Sequence, residues 1–209
     1  MKTKRILFLS LFLSAVFIAS AAKPRAKGYY VNSAGDTVKT MMEVSVNFFN
    51  KNKVEESGFF WGITIIEKGK EVKLGENDMQ AFGFMYLGER YDFRFIKEIS
   101  MPGVIGHMDQ VGLYLRLLVK GDCDLYLTST LDGTSHDYYF KRSGGDSYLT
   151  KNTNSLLSHD KDLIGFFSDC PAVGEKIKAK AFKGDDKYKQ IAIFVNANCA
   201  SAAPAQQEE

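Results

Sequence analysis

VGLYLRLLV, residues 111–119, decides the fold. Val111, Leu113, Leu115, Leu117 and Val119 fall on one side of an extended chain, and Gly112, Tyr114, Arg116 and Leu118 fall on the other. A period of two is the mark of a strand, because successive side chains leave a strand on opposite faces. RYDFRFI, residues 90–96, repeats the period with one wet face: Tyr91, Phe93 and Phe95 alternate with Asp92 and Arg94.

Working outward, similar short runs recur between turn residues. Residues 28–31 and 37–47 flank NSAGD (32–36), with Val38, Met42, Val44 and Val46 on one face, and they predict an N-terminal hairpin. FFWGITIIEK (59–68) reads as one apolar strand closed by a Lys68-Gly69-Lys70 turn. Residues 82–87 pair with 90–96 across Gly88-Glu89, and 125–128 with 138–141 across Asp132-Gly133. The pattern predicts about eight antiparallel strands, forming a barrel-like or sandwich-like body.

After Ser143-Gly144-Gly145-Asp146 the sheet pattern is expected to break, and from Asp160 the period becomes helical. Leu163, Ile164 and Phe167 share a stripe. Val173, Ile177 and Ala181 mark a helix over 171–183, ended by Gly184 in a left-handed conformation. Tyr188, Ile191 and Val195 mark another over 186–198. The expected fold class is α+β: an antiparallel β-rich body followed by a short C-terminal helical segment. The expected organisation is a signal peptide over 1–21, a body over 22–157, helices packed on it over 158–199, and a disordered tail over 200–209.

The leader rests on Lys2, Lys4 and Arg5 ahead of a charge-free apolar run, 6–18, and on the small-x-small Ala19-Ser20-Ala21. As a helix that run reaches about 20 Å, short of a hydrocarbon core of roughly 30 Å, so cleavage is expected rather than anchoring. No cysteine follows it for lipid attachment. The expectation is therefore export to the periplasm, cell surface or medium, with no transmembrane segment after the leader is removed. Removal takes away three positive charges and no negative ones, so the net charge moves from +2 to −1. Such a balance lacks the basic footprint of a nucleic-acid binder.

GYYVNSAGDTVKT (28–40), VKLGENDMQAFGF (72–84), LYLRLLVKGDCDLY (113–126) and FFSDCPAVGEKI (166–177) together resemble a group of small secreted proteins of Bacteroidota-type Gram-negative bacteria. The resemblance covers most of the chain after the leader. It implies export, a β-rich body and a helical end. No function is assigned to the group, so the resemblance implies no catalytic residue.

Candidate chemistry is sparse. Cys170 precedes Pro171 at a helix start, where the positive end of the helix dipole favours a thiolate. With 171–183 and 186–198 antiparallel across a short turn, Cys170 and Cys199 lie at the same end, and an oxidising compartment permits a disulfide. Two unpaired thiols, with Cys170 a core residue of the cap region, remain the open alternative. Cys123 reads as a small buried residue. His107, His136 and His159 lack any metal-ligand spacing, so no metal site and no cofactor are expected. Ser135-His136-Asp137 and Ser158-His159-Asp160 spell a triad, but neighbours in sequence do not converge as a triad must. Glu89, Asp92, Asp122 and Asp124 stand at strand ends, where a glycosidase pair would have to form. Asp36-Thr37-Val38 matches a short O-glycosylation sequon, which makes Thr37 a candidate modification site. Trp61, beside Phe59 and Phe60, is expected in the core, with an exposed platform for a sugar or partner as the other reading.

No catalytic residue is assigned on this reading. The expected role is an exported, non-enzymatic binding or interaction protein of the cell envelope, with an unknown protein or glycan partner. The alternative is a hydrolase of envelope or dietary polymers that works through loop carboxylates.

Overall fold

The computed structural model describes residues 23–99, 112–129, 136–150 and 160–199. Val111, His107, His159 and the Asp132-Gly133 turn lie outside the described residues. Ten strands form one antiparallel sheet: β1 (Arg25–Asn32), β2 (Thr37–Glu43), β3 (Ile63–Glu67), β4 (Lys70–Leu74), β5 (Met79–Tyr86), β6 (Glu89–Ile96), β7 (Leu113–Val119), β8 (Cys123–Ser129), β9 (His136–Arg142) and β10 (Ser147–Thr150). Their order is β10-β9-β8-β7-β6-β5-β1-β2-β3-β4. Two meanders, β1–β4 and β5–β10, are thus joined edge to edge where β5 pairs with β1. Three helices follow: α1 (Asp160–Phe166), α2 (Pro171–Lys178) and α3 (Lys187–Asn198). The α+β class, the β-rich body and the helical C-terminal segment are as the sequence predicts.

The sheet rolls on itself. Tyr114 of β7 donates its hydroxyl to the carbonyls of Met79 (2.6 Å) and of Gly75, the residue after β4 (3.1 Å). β6, β5, β1, β2 and β3 stand between β7 and β4 in the strand order, so the bond to Gly75 brings two distant strands together. The rolled portion encloses an aromatic core. Phe59, Phe82, Phe84 and Phe93 pack there with Met42 and Tyr114, and Phe82 stacks on Phe93 at 4.7 Å between ring centres. A second core lies between β8, β9 and the helices, built on Leu125, Phe140, Phe167, Val173, Ile177 and Ile191. A third unites Phe60, Ile96, Leu113, Leu115, Tyr126 and Tyr139.

β7 explains why its sequence decides the fold, and it carries one correction. Leu113 and Leu115 enter the third core with Leu117 against it, while Tyr114 enters the first. Val119 does not share their face. The pairing with β8 shifts register between Leu117 and Val119, which sets Val119 opposite Leu125 and packs it against the helices. An extra residue on one strand reverses the side-chain alternation that follows it.

Three further boundaries differ from expectation. FFW is not strand: Glu56–Phe59 is a 3-10 turn, and β3 begins only at Ile63. Gly144-Gly145 does not end the sheet but makes the turn from β9 into β10, with Gly145 at φ 95°. Helix α2 stops at Lys178 rather than near Gly184. Ala181 N–H bonds Lys176 O and Lys180 N–H bonds Ile177 O, both at 2.9 Å, with Lys180 left-handed at φ 51°. That is a Schellman close with lysine where glycine is usual, so the sequence carries no glycine to announce it.

Candidate functional site

The 3-10 turn sets up the most exposed aromatic residue of the β3 entrance. Phe60 N–H bonds Ser57 O at 3.3 Å, and Gly62 N–H bonds Phe59 O at 3.1 Å, so the chain reverses over 59–62. Phe59 and Phe60 turn inward and are buried, whereas Trp61 stands outward at 45% exposure. The expectation of a core tryptophan is corrected for this reason: in a tight turn three consecutive aromatics cannot all face the same core. Gly62 makes the geometry available. Its φ of 129° is closed to other residues, and a Cβ there would run into the Leu74 carbonyl.

Trp61 divides two clefts. One, of about 260 Å³, is lined by Lys23, Glu43, Ser45, Thr64, Lys73 and, around the turn, Phe59, Trp61, Gly62 and Ile63. The Lys23 ammonium lies 3.7 Å from the Glu43 carboxylate across it. The other, of about 190 Å³, is lined by Glu76, Asn77, Asp78, Phe95 and Tyr114. Asp78 is held there by accepting from Gly75 N–H at 2.9 Å. An indole face between two shallow, polar-walled clefts offers stacking area and hydrogen-bonding groups together. A larger cleft of about 380 Å³ runs past Arg94, Asp124, Lys141 and Arg142. Its charges are largely spoken for: Lys141 pairs with Glu98, Arg142 with Asp169, and Asp124 accepts from Tyr126 OH at 2.8 Å and Gly121 N–H at 2.9 Å.

Beside the 3-10 turn sits a charged node. Arg116 of β7 meets the buried Glu56 at 3.1 Å and also pairs with Glu89, while its guanidinium lies 4.1 Å from the centre of the Tyr91 ring. Tyr91 donates its hydroxyl to Glu89 at 2.8 Å. Two carboxylates do converge here, but on a guanidinium. The tyrosine hydroxyl first, and Arg116 with it, hold Glu89 below its ordinary carboxyl range. Burial and the neighbouring Glu89 push the Tyr91 phenol up to about 12. A general acid for glycoside cleavage needs a raised carboxyl, and this node does the reverse. Asp92 is bound likewise, to Tyr29 OH at 2.7 Å and Arg90 at 2.6 Å. Asp122 is exposed in the turn before β8.

No family model, curated protein or solved structure matches the chain. Its site therefore rests on its own geometry.

The other sequence candidates fall as follows. Cys170 and Cys199 form a disulfide, with Cα atoms 5.7 Å apart, Cys170 capping the start of α2 and Cys199 the end of α3. Cys123 is fully buried and unbridged, and burial pushes its thiol up to about 12. His136 and Asp137 are consecutive in β9 and so leave opposite faces; Ser135 and Ser158 lie outside the described residues. Among the described residues no cluster of metal-ligating side chains occurs. Thr37 is the exposed first residue of β2, after an Asp36 whose N–H bonds Asn32 Oδ1 at 2.8 Å. Sequence reading missed the Arg116 node, because Glu56, Glu89 and Arg116 are far apart in the chain. The turn at Trp61 had a signal in the glycine that follows it.

Proposed function

We propose that the chain is an exported, non-enzymatic binding protein of the cell envelope, and that a glycan stacks on Trp61. The observation that carries this reading is the exposed indole between two clefts walled by Ser45, Thr64, Lys73, Asn77 and Asp78. Export is supported by the leader pattern over 1–21 and by the resemblance to secreted proteins. Thr37, exposed beside Asp36, is the proposed O-glycosylation position.

Trp61 is the chain's single tryptophan, so its emission reports the site directly. The test is titration with soluble peptidoglycan fragments and plant or host polysaccharides. A saturable change in emission, with the binding seen by calorimetry lost in W61A, is the expected result. A panel that leaves emission unchanged overturns the glycan reading. Release of reducing ends from any polymer overturns the non-enzymatic one and favours the hydrolase.

A further inference from the structure

Beyond β2 the chain throws out a loop, residues 47–53, closed at its base by the Val46–Val54 bridge. Phe48 and Phe49 at its tip are 87% and 92% exposed, and among the described residues their rings meet each other, edge to face at 5.2 Å. The loop is built to hold them there. Asn47 Oδ1 accepts from the N–H of Phe49 (3.0 Å) and of Asn50 (3.1 Å), and Asn50 Oδ1 accepts from Asn52 N–H at 3.1 Å. Lys53 N–H bonds Asn50 O at 2.9 Å, and Asn47 N–H bonds Lys53 O at 2.8 Å. Two aromatic side chains kept this bare by an ordered backbone call for a partner surface.

The neighbourhood indicates its chemistry. Ala26 of β1 pairs with Met42 and Gly28 with Phe84, so β2 and β5 finish at the same end of the sheet. Tyr86 at the end of β5 donates its hydroxyl to Lys51 O at 2.9 Å, which ties the loop to the β5–β6 turn. That turn presents Leu87, 67% exposed. Lys51 and Lys53 are exposed on the same loop, while Glu55 at its base is engaged with Asn47 and Ser57. The result is an exposed cluster of apolar side chains with two exposed lysines on the same loop.

We propose that this end of the sheet docks on an anionic lipid surface, with Phe48 and Phe49 entering the headgroup–acyl boundary, Leu87 beside them, and Lys51 and Lys53 meeting lipid phosphates. A protruding tip enters a bilayer without needing a complementary groove, and apolar insertion with basic flanks is how a peripheral protein gains membrane affinity. With a net charge near zero after loss of the leader, the attraction is local to these two lysines. The proposal is independent of the Trp61 site.

The test places the reporter at the tip. In the full chain carrying W61F, F49W is the only tryptophan, so lipid contact by any other segment leaves it silent. Anionic vesicles of phosphatidylcholine with phosphatidylglycerol should shift its emission to the blue, and brominated lipid should quench it. In sedimentation with the same vesicles, K51Q and K53Q should each weaken binding about fivefold, and more weakly as salt rises. F48S/F49S should weaken it about tenfold or more. All these residues are exposed, and circular dichroism checks that the variants fold. Unshifted emission of F49W in anionic vesicles overturns the proposal, as does a shift produced by a soluble protein in the absence of lipid. W61A leaves the vesicle result in place, so failure of the glycan reading and failure of this one are separate outcomes.

Discussion

Asn196 of α3 and Cys123 of β8 exchange two hydrogen bonds: the asparagine Oδ1 accepts from Cys123 N–H at 2.7 Å, and its Nδ2 donates to Cys123 O at 3.1 Å. The side-chain amide acts as one more rung of the sheet ladder and fastens the last helix to the strand edge. Gly121 makes room for it, since a Cβ there would meet the Asn196 amide. Asn196→Ala leaves both backbone groups of Cys123 without these partners in a half-buried place, which costs about 2 kcal/mol. Urea titration followed by circular dichroism checks it, and G121A should lower the midpoint in the same direction.

Arg116 is the second fastening. Its guanidinium side chain is 15% exposed and that of Glu56 is 9% exposed. Arg116→Met leaves Glu56 charged and uncompensated, at a cost of about 3 kcal/mol. The double variant Arg116→Met, Glu56→Met should recover most of that loss, because removing both partners removes the stranded charge. A double variant no more stable than Arg116→Met would show that the cost lies in lost packing on Tyr91.

Glu89 and Asp169 give the protein an acid-sensitive side. The Tyr91 hydroxyl and Arg116 lower the pKa of Glu89 from its ordinary 4.5, and Arg142 lowers that of Asp169 from 3.8. A carboxyl that binds protons less readily when folded adds stability above its unfolded pKa. That stability is lost as pH falls through the lower folded value. The urea midpoint should therefore be flat near neutrality and decline below pH about 4.5, with a shallower decline in E89Q. More than half of each carboxylate side chain is exposed, so the effect is modest and weakens with salt.

The strands were legible where one residue pattern served one face, as in Glu89–Ile96 and Leu113–Leu117. The sequence left Cys170 and Cys199 open between a bridge and two free thiols; the disulfide decides it, although α2 ends at Lys178 and its connection to α3 is longer than the expected turn. What stayed hidden depended on partners distant in sequence. The shift at Val119 is set by how β8 pairs, the close at Lys180 by helix-end bonds that lysine can also make, and the Arg116 node by three residues from separate strands and a turn. Trp61 is exposed rather than in the core; FFWGITII reads as one apolar strand unless Gly62 is taken as a turn residue. Its importance is testable: Gly62→Ala forces a Cβ against Leu74 O and a strained φ, which costs about 3 kcal/mol and alters Trp61 emission in the fold that remains.

The three cysteines should behave in two ways. The Cys170–Cys199 bridge closes a loop with a sequence separation of 29, worth about 3–4 kcal/mol in the chain-entropy account. C170S/C199S should lower the urea midpoint by a matching amount, with the helices of the second core loosening first because both bridge ends lie there. Non-reducing peptide mass spectrometry of native protein should find residues 170 and 199 in one linked pair. Cys123 should resist alkylation at neutral pH, since it is fully buried and its thiol is pushed up to about 12, and should label only on unfolding. Rapid labelling of Cys170 in native protein would contradict the bridge and return a reactive thiol to the start of α2. Labelling of Cys123 alone would instead show that α3 lifts from β8, with the Asn196 rung as the point of opening.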